Sequence, residues 1–86
     1  MPTPSEVNEI EQRIREIFAI LFQIEPQTIS DDSSPQTIPT WTSLQHLNLI
    51  LALEEEFSIR IGSDDGIGMN SFRKVRELVC KMVEPS

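Results

Sequence analysis

The sequence predicts an all-α protein, a small bundle of three main helices with one short helical turn before the last. Apolar residues recur at the three- and four-residue spacing of a helix in three separate stretches. No alternation of apolar and polar residues runs long enough to build a sheet. A chain of 86 residues, 38% of them hydrophobic, can hold one modest core. We therefore expect a single domain spanning residues 1–86.

The first helix begins at the capping box Thr3-Pro4-Ser5-Glu6, which puts a proline at the first helical position. Glu9 and Arg13 have the spacing of an ion pair along one helix face. Pro26 is expected to stop the helix, because the residue before a proline resists the α conformation. The apolar residues at helical spacing in this stretch are Val7, Ile10, Ile14, Ile17, Phe18 and Leu21.

Residues 27–40 form a polar connection that prolines interrupt. It is long for a link in a small bundle, which indicates a packed or functional loop. Ile29 and Ile38 are its expected anchors in the core. The second helix is expected to run from Thr42 or Ser43 to Phe57.

Beyond the second helix the chain is rich in turn residues. Ile59 and Ile61 form a short extended exit, and three glycines follow in a segment that could hold one short helical turn. Asn70 is the expected cap of the last helix. Cys80 is expected beside the apolar face of that helix, as a partly buried residue. That face consists of Phe72, Val75, Leu78, Val79 and Met82. The residues expected in the core of the whole domain are Ile10, Ile14, Ile17, Leu49, Leu53, Phe57, Val75 and Leu78.

The composition excludes several classes of protein. Seven Lys and Arg against fourteen Asp and Glu give a net charge of −7, which disfavours nucleic acid as a partner. One cysteine cannot form an internal disulfide. The N-terminus has no basic region followed by an apolar stretch, and the uncharged run Leu47–Leu53 is too short to cross a membrane. We expect an acidic, cytoplasmic protein that is monomeric.

The middle of the chain carries acidic residues and no basic ones. No Lys or Arg occurs between Arg15 and Arg60, whereas seven acids lie there. Such a run suits a basic protein partner, through steering and orientation. The simpler alternative, which charge alone favours, is a solvated surface that only keeps the protein soluble.

The sequence argues against catalysis and against a metal site. His46 is the only histidine and Cys80 the only cysteine, so the spacings of metal ligands are absent. Nothing in the sequence supports a third group that would orient a Cys–His pair. The segment Ser63-Asp64-Asp65-Gly66 lacks the alternating oxygen ligands and the closing glutamate of a calcium loop. We expect neither an enzyme nor a metal protein.

The second helix carries two apolar stripes, whereas a helix in a small bundle needs one. The first stripe, suited to the core, consists of Leu49, Ile50, Leu53 and Phe57. The second stripe consists of Leu44, Leu47 and Leu51, and its neighbours are Asn48, Glu54 and Glu55. Either the long loop covers the second stripe, or it is an exposed docking surface with an acidic border.

Ser43 lies where the second helix begins and could be its N-cap or a first-turn residue. Thr42 can take the cap instead, with Gln45 completing a capping box. The Ser43 hydroxyl would then be free, and a phosphoryl group esterified to it would meet unpaired backbone N–H groups at the positive end of the helix dipole. Ser43 is therefore a physically suitable site for a phosphate-linked modification.

The stretch WTSLQHLNLILALEEEFSIRI, from Trp41 to Ile61, resembles the signature of acyl carrier proteins. That signature is Asp-Ser-Leu at the start of the second helix, a run of aliphatic residues, Leu-Glu-Glu-Glu-Phe and an Ile-x-Ile exit. The order of helices and loops is also similar, so the resemblance covers essentially the whole chain. It implies a four-helix carrier bundle, with a short third helix, that is not an enzyme.

The resemblance also implies a cofactor and partners. A phosphopantetheinyl transferase would attach 4′-phosphopantetheine from coenzyme A to Ser43, and the thiol of this arm would carry acyl groups as thioesters. The partners would be loading ligases, acyltransferases and synthases with basic docking patches. The residues expected to contact them are Leu44, Leu47, Asn48, Leu51, Glu54 and Glu55.

The sequence departs from the signature at several positions. Thr42 replaces the aspartate before the serine, and Gln45 and Asn48 are neutral where acids are common. Trp41 and His46 make the stretch more similar to specialised stand-alone carriers or to the carrier domains of peptide-assembling systems. We expect a specialised lipid or secondary-metabolite pathway rather than bulk fatty acid synthesis. Two alternatives stay open: a carrier of aminoacyl or peptidyl groups, and an unmodified helical adaptor that binds partners through its second helix.

Overall fold

A computed structural model describes residues 3–83, and the chain is helical in the way that the sequence predicts. Its helices are α1 (Pro4–Phe22), α2 (Ser43–Phe57), the short α3 (Ser63–Gly68) and α4 (Phe72–Met82), with a 3₁₀ turn at Pro26–Thr28. No strand occurs in residues 3–83. No helix among these residues has the length and apolar character needed to cross a membrane.

Helix α1 starts as predicted and ends earlier than predicted. Thr3 Oγ1 accepts the Glu6 N–H at 3.2 Å, and Pro4 is the first helical residue. The last helical residue is Phe22, because Gln23 adopts the left-handed conformation (φ 56°) and closes the helix by donating its N–H to the Ala19 carbonyl. Pro26 therefore does not stop the helix, and it opens the 3₁₀ turn instead.

The ion pair predicted along α1 is replaced by a bond between helices. Arg13 Nη1 donates to Glu56 Oε1 of α2 at 2.7 Å and not to Glu9. The pair with the four-residue spacing is formed by Glu11 and Arg15, at 3.5 Å. The packing of α1 against α2 brings Glu56 next to Arg13. The spacing of residues along one helix cannot predict such a contact between two helices.

The core is one continuous cluster with aromatic rings at its centre. Phe18 meets Phe22, Trp41 and Phe72 edge-on, with centroid distances of 5.2, 5.3 and 5.2 Å. Of the core residues that the sequence predicts, Ile10, Ile14, Leu49, Leu53 and Val75 are buried. Three lie partly buried at the edge of the cluster: Ile17, Phe57 and Leu78. Cys80 is also half-buried against the cluster, as predicted, and desolvation raises its pKa.

The long loop between α1 and α2 is packed. Ile29 and Ile38 are buried, at 3% and 5% exposure, so the predicted anchors are confirmed. Arg15 Nη1 donates to the Ile29 carbonyl at 2.6 Å and to the Pro26 carbonyl at 3.1 Å. These bonds hold the start of the loop against α1.

The same loop supplies hydrogen-bond acceptors to the start of α4. The Ser33 carbonyl accepts the Phe72 N–H at 2.9 Å, and the Asp31 carbonyl accepts the Arg73 N–H at 3.2 Å. Two N–H groups that have no partner inside the helix are thereby satisfied. The loop thus fixes where α4 begins.

The cap of α4 is one residue later than predicted. Ser71, and not Asn70, has the extended conformation of an N-cap, and its hydroxyl accepts the Lys74 N–H at 3.2 Å. Both side chains are suitable caps. Insertion of fully buried Phe72 into the core, with its N–H bound to the loop, sets the register.

A cluster of charges joins α1, the loop and α4. Arg76 donates to both carboxylate oxygens of Asp31, at 2.6 and 3.2 Å, and to Glu11 Oε1 at 2.8 Å. The hydrogen bond from Arg76 lowers the pKa of Asp31, and the bond to Asp31 raises the pKa of Arg76. Arg15 covers the Phe72 ring in the same region, with 5.0 Å from its guanidinium carbon to the ring centroid.

The first prediction tests the two faces of α2. Leu53→Ala should lower the free energy of unfolding by about 2–5 kcal/mol, because Leu53 is fully buried and its removal leaves a cavity. Leu51→Ala, at a position 62% exposed, should change it far less. Urea denaturation of the two variants measures both effects. Equal losses would contradict the assignment of the two faces.

The second prediction concerns acid stability. The pKa of Asp31 is lower in the folded chain than in the unfolded chain, so its carboxylate stabilises the fold at neutral pH. That contribution is lost as the pH falls below about 4 and the carboxylate is protonated. Asp31→Asn should therefore destabilise the protein at pH 7 by about 0.2–1 kcal/mol, because the pair is partly exposed.

The control for this prediction is Asp32→Asn, which removes the same charge next to the cluster. Among residues 3–83, Asp32 forms no ion pair. Denaturation curves at pH 7 and at pH 3 should show a smaller loss on acidification for Asp31→Asn than for Asp32→Asn. The same loss in both variants would contradict the role given to the Arg76 pair.

Candidate functional site

The start of α2 carries an exposed serine whose hydroxyl makes no hydrogen bond to any other residue in the range 3–83. Ser43 is the first residue of α2. Thr42 is the cap, since its backbone is extended (φ −89°, ψ 174°) and its hydroxyl accepts the Gln45 N–H at 3.3 Å. Of the two caps that the sequence allows, Thr42 is the one that forms, and the Ser43 hydroxyl is left free of the cap.

The second half of the predicted capping box does not form. Gln45 does not turn back to Thr42; its Nε2 donates to the Leu21 carbonyl at the end of α1, at 2.8 Å. Its Oε1 accepts a bond from Asn48 Nδ2 at 2.8 Å. A carbonyl in the last turn of α1 is within reach and lacks a helical donor, so it binds this side chain in preference. The bond ties the start of α2 to the end of α1.

Trp41 and His46 form a pair directly beside Ser43. The indole N–H of Trp41 donates to His46 Nδ1 at 3.0 Å, and His46 Nε2 lies 2.7 Å from the Gly66 carbonyl of α3. The two contacts together fix the neutral tautomer, in which Nδ1 accepts and Nε2 donates. His46 is half-buried, and it also links α2 to α3.

An open cleft of about 430 Å³ lies at this end of the molecule. Its lining residues are Pro35, Trp41, Thr42, Ser43, His46 and Leu47. Neither the cleft nor the part that Trp41 plays in it was predicted from the sequence. The available signal was a tryptophan immediately before a helix cap, since such a residue needs burial and brings the loop and the helix together.

The second apolar stripe of α2 is exposed. Leu44, Leu47 and Leu51 have exposed fractions of 69%, 59% and 62%, whereas Leu49 and Leu53 on the other face are fully buried. The alternative that the long loop covers this stripe is therefore wrong, because the loop packs with Ile29, Ile38 and Trp41 into the core.

The three consecutive glutamates of α2 have different surroundings. Glu54 Oε2 accepts the Ile61 N–H at 2.9 Å and thereby holds the chain that leaves α2. Glu56 pairs with Arg13 at 2.7 Å. Glu55 is exposed and has no ion pair within the described part of the chain. Asp31 pairs with Arg76. Arginines from the two ends of the chain therefore neutralise part of the negative charge of its middle.

The described residues contain no group of three or more His, Cys, Asp or Glu that could hold a metal ion. Both ring nitrogens of His46 are engaged, by Trp41 and by Gly66, so it does not form a pair with Cys80. Ser63, Asp64 and Asp65 make up the first turn of α3 and do not form a calcium loop.

The start of α2 fits a phosphate ester on Ser43. Within residues 3–83, the N–H groups of Ser43 and Leu44 have no acceptor. The Thr42 hydroxyl accepts the Gln45 N–H, and the Thr42 carbonyl accepts the His46 N–H. Unpaired N–H groups at a helix start favour an anion. No charged residue occurs in the sequence between Asp32 and Glu54, so no carboxylate from this segment opposes it.

Comparison with known proteins gives the family. No family model matches the chain. It is 31% identical to an acyl carrier protein of Buchnera aphidicola subsp. Schizaphis graminum over 68 residues, which is 79% of this chain and 86% of that protein. Over 68 residues it is 32% identical to acyl carrier protein 2 of Pseudomonas aeruginosa, with the same coverage of 79% and 86%.

A third relative is matched over a longer range. The acyl carrier protein of Buchnera aphidicola subsp. Acyrthosiphon pisum is 32% identical over 75 residues, which is 87% of this chain and 94% of that protein. The four-helix architecture and these identities over most of both chains agree with each other. The chain belongs to the acyl carrier protein family, whose members are carriers and not enzymes.

Proposed function

We propose that this protein carries acyl groups as thioesters on a 4′-phosphopantetheine arm attached to Ser43, and presents them to enzymes of a specialised lipid or secondary-metabolite pathway. The observation that carries the proposal is the exposed Ser43 hydroxyl at the first position of α2, with the cap provided by Thr42. Membership of the family supports a carrier role in general. We propose that one carrier domain spans residues 1–86.

The attachment would use the Ser43 hydroxyl as the nucleophile. Its oxygen attacks the phosphorus of coenzyme A that bears the pantetheine, and a new O–P bond forms. The bond from that phosphorus to the bridging oxygen breaks, adenosine 3′,5′-bisphosphate leaves with the electron pair, and the serine proton passes to a base of the transferase. The arm supplies a terminal thiol for thioester formation. The unpaired N–H groups of Ser43 and Leu44 would favour the negative phosphodiester.

The proposed docking surface for partner enzymes is the exposed leucine stripe of α2 and its border. Its residues are Leu44, Leu47, Asn48, Leu51, Glu54 and Glu55. Its apolar centre and polar rim are the usual arrangement at protein interfaces. Glu55 can meet a basic group directly, whereas Glu54 holds Ile61 with one carboxylate oxygen and has the other for a partner.

The neutral surroundings of Ser43 support specialised partners. The first half of α2 contains no charged residue, so charge can orient a partner chiefly at the Glu55 end of the stripe. We therefore propose loading ligases, acyltransferases and synthases whose docking patches are mainly apolar, with a basic group at one side.

A second candidate function is an adaptor that binds through the leucine stripe and carries no arm. The exposure of Leu44, Leu47 and Leu51 favours it, because docking through these residues does not require Ser43 to be modified. Modification of Ser43 distinguishes the two candidates.

The third prediction tests the arm. Incubation with coenzyme A and a broad-specificity phosphopantetheinyl transferase should add one arm to the protein, and none to Ser43→Ala, as measured by intact mass. Fragmentation should place the arm on Ser43 and not on Ser33, which is buried, or on Ser58, which lies at the end of α2.

Thr42→Asp belongs in the same experiment because it restores the residue of the family signature. Faster modification of this variant would show that Thr42 changes recognition by the transferase and would support the carrier function. If no transferase modifies either form, and protein purified from the native host also lacks the arm, the proposed carrier function is wrong. The adaptor is then the function that remains.

The fourth prediction tests the docking surface with the transferase as the partner. Leu47→Ala should raise KM for the carrier by roughly fivefold, which corresponds to about 1 kcal/mol of lost contact. Its thermal unfolding should change little, because the side chain is 59% exposed. Ile20→Ala is the matched control, since Ile20 is 81% exposed on α1 and should leave KM unchanged. Equal KM values for the two variants would exclude Leu47 from the surface.

A further inference from the structure

The end of α1 is hydrogen-bonded to the segment that begins α2. Leu21 and Phe22 are the last two helical residues of α1, so their carbonyls have no donor within that helix. Thr40 Oγ1 donates to the Phe22 carbonyl at 2.8 Å, and Gln45 Nε2 donates to the Leu21 carbonyl at 2.8 Å. Two neighbouring carbonyls of α1 therefore hold two residues of the following segment that are five positions apart.

Ser43 lies between these two points of attachment. Thr40 is three residues before it, and Gln45 is two residues after it. Trp41 belongs to the same short segment and is fixed by its burial and by its stacking on Phe22. Because the Ser43 hydroxyl makes no hydrogen bond of its own within residues 3–83, its position depends on how firmly its neighbours are held.

The amide of Gln45 is the group that this contact requires. Its nitrogen donates to the Leu21 carbonyl, while its oxygen accepts Asn48 Nδ2 at 2.8 Å. A carboxylate at the same position could only accept hydrogen bonds, so it would meet the Leu21 carbonyl without a proton between the two oxygens. Acids are common at both positions in the signature of the family, whereas this chain has amides. The neutral residue at position 45 thus has a structural use in this chain.

Gln45 is also separate from the proposed docking stripe. Its side chain is half-buried and reaches back to Leu21 of α1. The leucines of the stripe are exposed on α2, at 69% for Leu44, 59% for Leu47 and 62% for Leu51. Loss of the Gln45 contact should therefore change the placement of the start of α2 and leave the stripe available to a partner.

From these contacts we propose that Gln45 is a positioning residue for the modification of Ser43. Its hydrogen bond to Leu21 holds the start of α2 where the Ser43 oxygen can attack the phosphorus of coenzyme A. The proposal rests on the proposed function, because it concerns the attachment of the arm. A nucleophile that is held in place reacts faster than one that samples several positions.

Gln45 takes part in none of the bonds that change during the attachment. The Ser43 oxygen forms the new O–P bond, adenosine 3′,5′-bisphosphate leaves with the electron pair, and the serine proton passes to a base of the transferase. Gln45 acts only through the backbone that joins it to Ser43. Its loss should therefore slow the chemical step and not the docking of the transferase.

The test measures single-turnover modification of the full chain with coenzyme A and an excess of the broad-specificity transferase. Intact mass gives the rate at saturating transferase and the transferase concentration at half of that rate, which separates chemistry from docking. Gln45→Met keeps the length of the side chain and the backbone N–H that Thr42 accepts, but it cannot donate to Leu21. It should lower the saturating rate by roughly fivefold, the factor that corresponds to one neutral hydrogen bond. The half-saturating concentration should not change.

Gln45→Glu distinguishes positioning from docking. If residue 45 contacted a basic patch of the transferase, the added charge would lower the half-saturating concentration and leave the saturating rate as it is. If residue 45 positions Ser43, the saturating rate should fall as it does in Gln45→Met, because a carboxylate cannot donate to the Leu21 carbonyl. An unchanged or higher saturating rate in Gln45→Glu would contradict the proposal.

Gln12→Met is the matched control. Gln12 is an exposed glutamine of α1 whose side chain makes no hydrogen bond within residues 3–83, so both kinetic parameters should stay at their original values. Backbone NMR order parameters for residues 43–45 should fall below the rigid value of about 0.85 in Gln45→Met and not in Gln12→Met. Thermal unfolding confirms that each variant is folded before its rate is compared.

The failure of this proposal can be distinguished from failure of the proposed function. If Gln45→Met and Gln12→Met have the same saturating rate, or if only the half-saturating concentration changes in Gln45→Met, then Gln45 does not position Ser43. The carrier function stands in that case, because the original protein still gains the arm. If no transferase adds the arm to the original protein, the proposed function is overturned and the role of Gln45 with it.

Discussion

The burial of Trp41 is the contact on which the candidate site depends. Trp41 lies immediately before the cap of α2. Its ring stacks on Phe22 in the aromatic centre of the core, and its indole N–H donates to His46. Because the ring cannot move without opening the core, the backbone beside it is fixed. Thr42 then caps α2, and Ser43 becomes its first residue. A contact of the core thus decides where the exposed hydroxyl lies.

Around Ser43, the polar side chains of its neighbours are hydrogen-bonded within the fold, and the Ser43 hydroxyl is free to be modified. Thr42 caps the helix, Gln45 binds the end of α1, and His46 links Trp41 to α3. Each of these side chains is engaged with the fold, whereas the Ser43 hydroxyl is not bound within residues 3–83. The same division occurs at the other end of α2, where Glu54 and Glu56 are bound by Ile61 and Arg13 and Glu55 is exposed.

The charge pattern shows how tertiary structure changes an inference from sequence. The sequence has no base between Arg15 and Arg60 and predicts an uninterrupted acidic region. Packing brings Arg13 to Glu56 and Arg76 to Asp31. The remaining acidic surface on α2 is therefore smaller than the sequence indicates, and the uncharged leucine stripe becomes the larger part of the proposed docking surface.

The helices, the two apolar stripes of α2 and the loop anchors could be predicted from the sequence, because they follow from periodicity and from the position of apolar residues in a polar loop. The sequence left open whether Thr42 or Ser43 caps α2 and whether the second stripe is covered. The resemblance that points to Ser43 also lies in one continuous stretch. The three-dimensional packing settled both points on α2. It also set the early end of α1, the Ser71 cap, the partners of Arg13 and Gln45, and the cleft lined by Trp41 and His46. Each of these features has competing local conformations or hydrogen-bond acceptors, and contacts between residues far apart in the chain select among them.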